Sequence, residues 1–151
     1  MDFKNCVAYD LDGVLAEAPP ARPKSFFKST GPERKEWNEF LAEWYKQTKP
    51  LLRPTDEPFI VITARKCREP YKSITVHWLA LNMPHMNWKL FMHEKARTLK
   101  NVIAFKGEVL RLMEATKFTE DNKKVLKGVK ELAPNCELFH FDGKESIPFT
   151  K

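Results

Sequence analysis

The chain has no run of about 18 apolar residues, the length a bilayer-crossing helix needs, so no membrane-spanning segment is expected. Its three cysteines, Cys6, Cys67 and Cys136, are an odd number without a CxxC pair or clustered histidines. That spacing argues against a disulfide framework and against a zinc site. The opening residues Met1-Asp2-Phe3-Lys4-Asn5 lack the apolar stretch and cleavage site of a secretory signal. Internal repeats and low-complexity tracts are also missing. Together these absences predict a cytoplasmic, reducing setting.

What is present suits one domain, 1–151. A chain of 151 residues buries roughly two thirds of its unfolded surface. The formal net charge is +6, from 26 basic and 20 acidic residues. The surplus is concentrated between Lys89 and Lys130, and it favours phosphorylated or polyanionic partners. A solubilising surface would look the same by charge alone.

Asn5 to Tyr9 reads as a buried strand ending at Asp10, with Asp12-Gly13 as a turn signal beyond it. Residues 18–28, rich in proline, are expected to be loop. Thr30 and Glu33 fit a capping box with Pro32 in the first turn of a helix, along which Trp37, Phe40, Leu41 and Trp44 form one apolar face. Phe59 to Ile62 is a short apolar run of the kind found in strands covered on both faces. A helix is predicted from Pro70 to about Leu81, a strand over 88–92, a helix over 101–114 and a strand over 117–119. A helix over 123–132 and a strand over 137–141 follow. Strands alternating with helices at this spacing predict an α/β fold, a five-stranded parallel sheet flanked by helices. Segment 16–58 is too short for more than a minimal cap. In such sheets ligands bind beyond the C-terminal strand ends where strand order reverses, and the notable polar residues cluster at those ends.

Asp10-Leu11-Asp12-Gly13-Val14-Leu15 sets two carboxylates one residue apart just past a strand. The pair offers a nucleophile or metal ligand and a second acid/base group; the bland reading is a surface turn rich in Asp and Gly. Glu120-Asp121 is a second acidic pair at another strand end, which could equally cap the following helix. If the two strands are neighbours, three or four carboxylates converge and require a cation. Hard oxygen ligands select Mg²⁺. Thr63 ends its strand with a hydroxyl able to donate to a phosphoryl oxygen, and Arg65, Lys66 and Arg68 follow to neutralise substrate charge. Lys106, in an apolar stretch, either snorkels to solvent or points at the acids.

These residues resemble, in order, the four motifs of the haloacid dehalogenase (HAD) superfamily: Asp10-Leu11-Asp12-Gly13-Val14-Leu15, Thr63, Lys106 and Glu120-Asp121. The middle of the chain resembles more narrowly the phosphatase domain of phage polynucleotide kinase and its small phage-borne relatives. The stretches concerned are Thr63-Ala64-Arg65, Lys72-x-x-Thr75-x-x-Trp78-Leu79, Leu90-Phe91-Met92-His93 and Lys106-x-x-Val109-Leu110. Ala64 replaces a glycine of that pattern, and Lys72 and His93 replace arginines, which a bidentate contact does not tolerate. The resemblance implies a Rossmann-like HAD fold and a Mg²⁺-dependent phosphomonoesterase with Asp10 as nucleophile and Asp12 as acid/base. It further implies Thr63 and Lys106 as phosphoryl ligands, and a metal held by Asp10, the Asp12 carbonyl, Glu120 and Asp121. Arg65, Lys66, Arg68 and Lys72 are the expected substrate-binding residues, and the expected substrate is a nucleotide or other small phosphorylated metabolite. The alternatives are a polynucleotide 3′-phosphatase, tracking a nucleic-acid end along Lys123, Lys127 and Lys130, and a non-catalytic module of the same fold. A receiver domain, which also uses Asp, Thr and Lys at strand ends, ranks below these because it lacks the DxDGV arrangement.

Overall fold

The computed structural model describes residues 2–21 and 32–150. The elements run β1 (Val7–Asp10), α1 (Pro32–Gln47), β2 (Phe59–Lys66), α2 (Tyr71–Asn82), β3 (Trp88–His93), α3 (Leu99–Leu112), β4 (Lys117–Glu120), α4 (Lys123–Leu132), β5 (Glu137–Phe141) and β6 (Ser146–Pro148). Among the described residues the strands form one six-stranded sheet in the order β3-β2-β1-β4-β5-β6. All pairs are parallel except β5 with β6.

The expected sheet of five parallel strands is thus extended by an antiparallel sixth. Its cause is local. Asp142 Oδ1 accepts from the N–H groups of both Lys144 (2.8 Å) and Glu145 (2.8 Å), and Gly143 takes φ +103°, so the chain reverses after β5. A three-residue strand ending in proline leaves almost no periodic signal. The capping box at Thr30 and most of the 18–28 loop lie outside the described residues; 18–21 have no regular structure.

Alternation along the strands divides the core in two. Ala8, Ile60, Ile62, Phe118 and Leu138 face α3 and α4, packing on Leu110, Leu126 and Val129. Tyr9, Phe59 and Val61 point the other way, onto Trp78 and Leu79 of α2 and Met83 just beyond it. Period-two alternation lets a short strand feed two helical layers. Trp78 is 1% exposed and its indole N–H donates to the Thr48 carbonyl (2.8 Å); truncating a buried residue of this size to Ala costs about 3–5 kcal/mol.

Helix α1 forms an outer layer on α2, through a cluster of Leu41, Tyr45 and Tyr71 flanked by Trp37 and Trp44. The sequence places Phe40 on this face, but it is 41% exposed and Tyr45 takes the buried position instead. The return from α1 is tied to the segment after β1: Leu51 and Leu52 donate backbone N–H groups to Leu15 and Val14. The Asp10–Leu15 segment is therefore held from both sides. No helix among the described residues is long and apolar enough to cross a membrane, and all three cysteines are free thiols.

Candidate active site

The chain adds β2 and β3 on one side of β1 and then β4 and β5 on the other. The strand order reverses between β1 and β4, which are hydrogen-bonded neighbours. Such a switch point opens a crevice at the C-terminal strand ends. Here a cleft of about 450 Å³ is lined by Asp10, Asp12, Thr63, Lys106, Glu120 and Asp121, among others.

Asp10 and Glu120 are 5% and 1% exposed, and between them sits Lys106. Its ammonium donates to Asp10 Oδ1 (2.9 Å) and Glu120 Oε1 (2.6 Å). Of the two fates open to Lys106 in the sequence, the structure takes the inward one: helix α3, capped by Thr98 on Asn101 N, aims it at the acids. Glu120 Oε2 accepts the backbone N–H groups of Asp121 (3.0 Å) and Asn122 (3.2 Å). Carboxylate oxygens of Asp10, Glu120 and Asp121 lie within 4.8 Å of one another.

Burial pushes the Asp10 carboxyl well above its usual range, with Glu120 adding to the shift and Lys106 opposing it. Burial likewise raises Glu120 and Asp121. For Lys106, burial disfavours the charged form, but the Asp10 and Glu120 charges outweigh it and hold the ammonium above its ordinary pKa. A single ammonium therefore compensates three crowded carboxylates. The remaining negative charge and all-oxygen donor set suit a hard divalent cation.

Gly13 makes the convergence sterically feasible. It has φ +89°, and a Cβ there would overlap the Asp121 carboxylate. His140 pins the same loop, its Nε2 lying 2.9 Å from the Asp121 carbonyl.

The second carboxylate of the pair has a separate partner. Arg65 donates from Nε to Asp12 Oδ2 (3.0 Å), from Nη2 to Oδ1 (2.7 Å), and from Nη1 to Thr75 Oγ1 (2.9 Å). Its guanidinium carbon is 3.7 Å from the centre of the Tyr45 ring. The sequence suggests Arg65 as a substrate-binding residue; the structure instead buries it and directs its fork to Asp12 and Thr75. Exposure of an arginine cannot be read from a motif. Thr63 is 1% exposed; its Oγ1 accepts the Arg65 N–H (3.2 Å), which leaves the hydroxyl proton for the cleft.

Lys66 and Arg68 line a groove that adjoins this cleft. Lys72 lies exposed on α2 near Glu69 and lines neither cavity. Lys123, Lys127 and Lys130 are exposed on α4 and also lie outside the cleft lining; Lys130 donates to the Thr150 carbonyl (3.2 Å). Sequence reasoning missed Tyr45 and Arg97, which line the cleft. Tyr45 sits one residue beyond the apolar stripe of α1, and Arg97 in a loop with no pattern of its own.

The fold and site define an α/β domain with a carboxylate-rich cleft at its topological switch point. Compared with protein-family models, curated proteins and solved structures, the chain gives no match.

Proposed function

We propose that the protein is a Mg²⁺-dependent phosphomonoester hydrolase of the HAD type, acting on a nucleotide or another small phosphorylated metabolite. One observation carries this reading: Asp10, Asp12, Thr63, Lys106, Glu120 and Asp121, drawn from four separate segments, line one cleft at the strand switch. The free cysteines agree with a reducing, cytoplasmic location.

The donor set of Asp10, Glu120 and Asp121, with the Asp12 carbonyl, fits Mg²⁺. When bound, the cation supplies charge neutralisation for the carboxylates and the phosphoryl group. Asp10 Oδ1 is occupied by Lys106, which leaves Oδ2 to attack phosphorus. The bond from phosphorus to the leaving oxygen breaks as the aspartyl-phosphate forms, and Asp12 gives the leaving oxygen its proton. Asp12 then takes a proton from the water that attacks the aspartyl-phosphate; the phosphorus–Oδ2 bond breaks, releasing phosphate and restoring Asp10. Arg65 grips Asp12 from one side, and each Asp12 oxygen keeps a lone pair for this exchange. Thr63 donates to a phosphoryl oxygen, and Lys106 orients Asp10 at the edge of the same charge. Positioning and preorganised charge supply most of the acceleration in such transfers.

The test is hydrolysis of a generic aryl phosphate with Mg²⁺ and with EDTA, alongside Asp10→Asn. Turnover that needs Mg²⁺ and vanishes in Asp10→Asn, with unfolding unchanged, supports the assignment. Inertness toward a broad panel of phosphoesters would favour a non-catalytic module, and an active Asp10→Asn would remove the nucleophile.

A further inference from the structure

A groove of about 590 Å³ opens beside the catalytic cleft, sharing Pro19, Tyr45 and Arg97 with it. Four cations line it: Arg34 from α1, Lys66 from the end of β2, and Arg68 and Arg97 from loops. No carboxylate is among its described lining residues. Trp37, Tyr45 and Tyr71 provide aromatic wall. The cations crowd one another: Lys66 is lowered from its usual pKa by burial and then by Arg68, Arg34 and Arg97. Repelling charges gathered in one hollow are stabilised when an anion enters.

Geometry ties this groove to the leaving group. The leaving oxygen departs on the Asp12 side, and Asp12 is gripped by Arg65, whose guanidinium lies over Tyr45. Tyr45 forms the shared wall between cleft and groove. A leaving group released at Asp12 therefore extends into a hollow offering cations and flat rings. Its volume falls within the range of small-molecule pockets, enough for one nucleoside unit.

Resting on the phosphatase reading above, we infer that the preferred substrate is a nucleoside carrying a second phosphate, with the base against the aromatic wall and the second phosphate held by Arg34, Lys66, Arg68 and Arg97. Charge-assisted bonds from two or more of these side chains favour adenosine 3′,5′-bisphosphate over either adenosine monophosphate by about 10- to 100-fold in kcat/KM, chiefly through KM. Arg34 and Arg68 are exposed, so the double variant Arg34→Gln/Arg68→Gln is expected to fold, which an unchanged unfolding temperature verifies. In it the bisphosphate preference should collapse toward one.

Equal kcat/KM for mono- and bisphosphate in the parent protein, or a preference that survives the double substitution, would overturn the inference. Calorimetric binding of the same nucleotides to Asp10→Asn separates the two levels. Bisphosphate preference without any turnover would keep the groove and sink the hydrolase; turnover without preference would do the reverse. A 3′-phosphorylated dinucleotide, whose second phosphate is a diester, should bind more weakly than the free bisphosphate. If it is preferred instead, the assignment to a small nucleotide is wrong.

Discussion

Removing Arg65 separates positioning from substrate binding more cleanly than any other substitution. The side chain is fully buried, while that of Asp12 is 19% exposed. Arg65→Met leaves Asp12 and Thr75 without their donor and withdraws the cation from the Tyr45 face. Breaking a buried ion pair from one side costs about 3–5 kcal/mol. Asp12 recovers part of this by meeting water in the cleft, so about 2–4 kcal/mol is expected. For a chain of this length that corresponds to a fall in Tm of roughly 5–15 °C. Arg65→Lys keeps the charge but has no planar fork, and should recover less than half of the loss. Urea unfolding of Arg65→Met, Asp12→Asn and the double variant completes a cycle, with a coupling of at least about 1 kcal/mol expected. In turnover, a released Asp12 should lower kcat by about 100-fold or more with a smaller change in KM. A substrate-binding arginine would instead raise KM. Loss of less than about 1 kcal/mol, or a defect confined to KM, would refute the positioning role.

The acidic cluster should make stability depend on pH and, on the proposed metal reading, on a divalent cation. Asp10, Glu120 and Asp121 have folded pKa values above their unfolded ones of 3.8 and 4.5, so ionising them opposes folding. Without a divalent cation, their contribution should therefore weaken as pH rises from about 4 toward neutrality. At about pH 7.5, Mg²⁺ at a hundredfold excess over its Kd should add about 2.7 kcal/mol, or roughly 5–10 °C in Tm, and Asp121→Asn should blunt the gain. An identical Tm in Mg²⁺ and EDTA would contradict the metal assignment. Gly13→Ala forces a side chain into a left-handed conformation at about 1–2 kcal/mol and displaces Asp121, so it should also abolish the Mg²⁺ response; a retained response would mean that Asp121 is not needed. Lys106→Met leaves two buried carboxylates facing each other. Turnover should fall by orders of magnitude, and the stability loss should be greater near neutral pH than in acid, where the carboxylates are protonated. Near-normal turnover would take Lys106 out of the site.

Where local chemistry is self-sufficient, the sequence and the structure agree closely. The predicted 123–132 helix and 137–141 strand match α4 and β5 residue for residue; Asn122 caps the helix, its side chain accepting the Lys124 and Val125 N–H groups. The β1–β4 adjacency that the metal reading requires is present. What escaped detection depends on distance in three dimensions. Arg65 looks like a free cation after a strand until burial and its fork to Asp12, 53 residues away, are known. The groove draws Arg34, Lys66, Arg68 and Arg97 from α1, a strand end and two loops; the sequence marks Lys66 and Arg68 as candidate substrate cations, but nothing in it joins Arg34 and Arg97 to them. Tyr45 was hidden by a helical stripe that pointed to Phe40, one position off the buried line.

The two halves of the site answer the same electrostatic problem differently. Asp10 and Asp12 are two residues apart in the chain, yet each has its own cation from the far side of the sequence, Lys106 for one and Arg65 for the other. Lys106 also serves Glu120, while Asp121 has no ion-pair partner among the described residues. Once ionised, Asp10, Glu120 and Asp121 against Lys106 alone leave two negative charges within one cleft. A monovalent ion would cancel only half of that. One divalent cation balances the count. Na⁺ or K⁺ at matched ionic strength should therefore fail to reproduce the Mg²⁺-induced rise in Tm. If either does so, the stabilisation is general screening of the carboxylates, and the cleft has no specific divalent site.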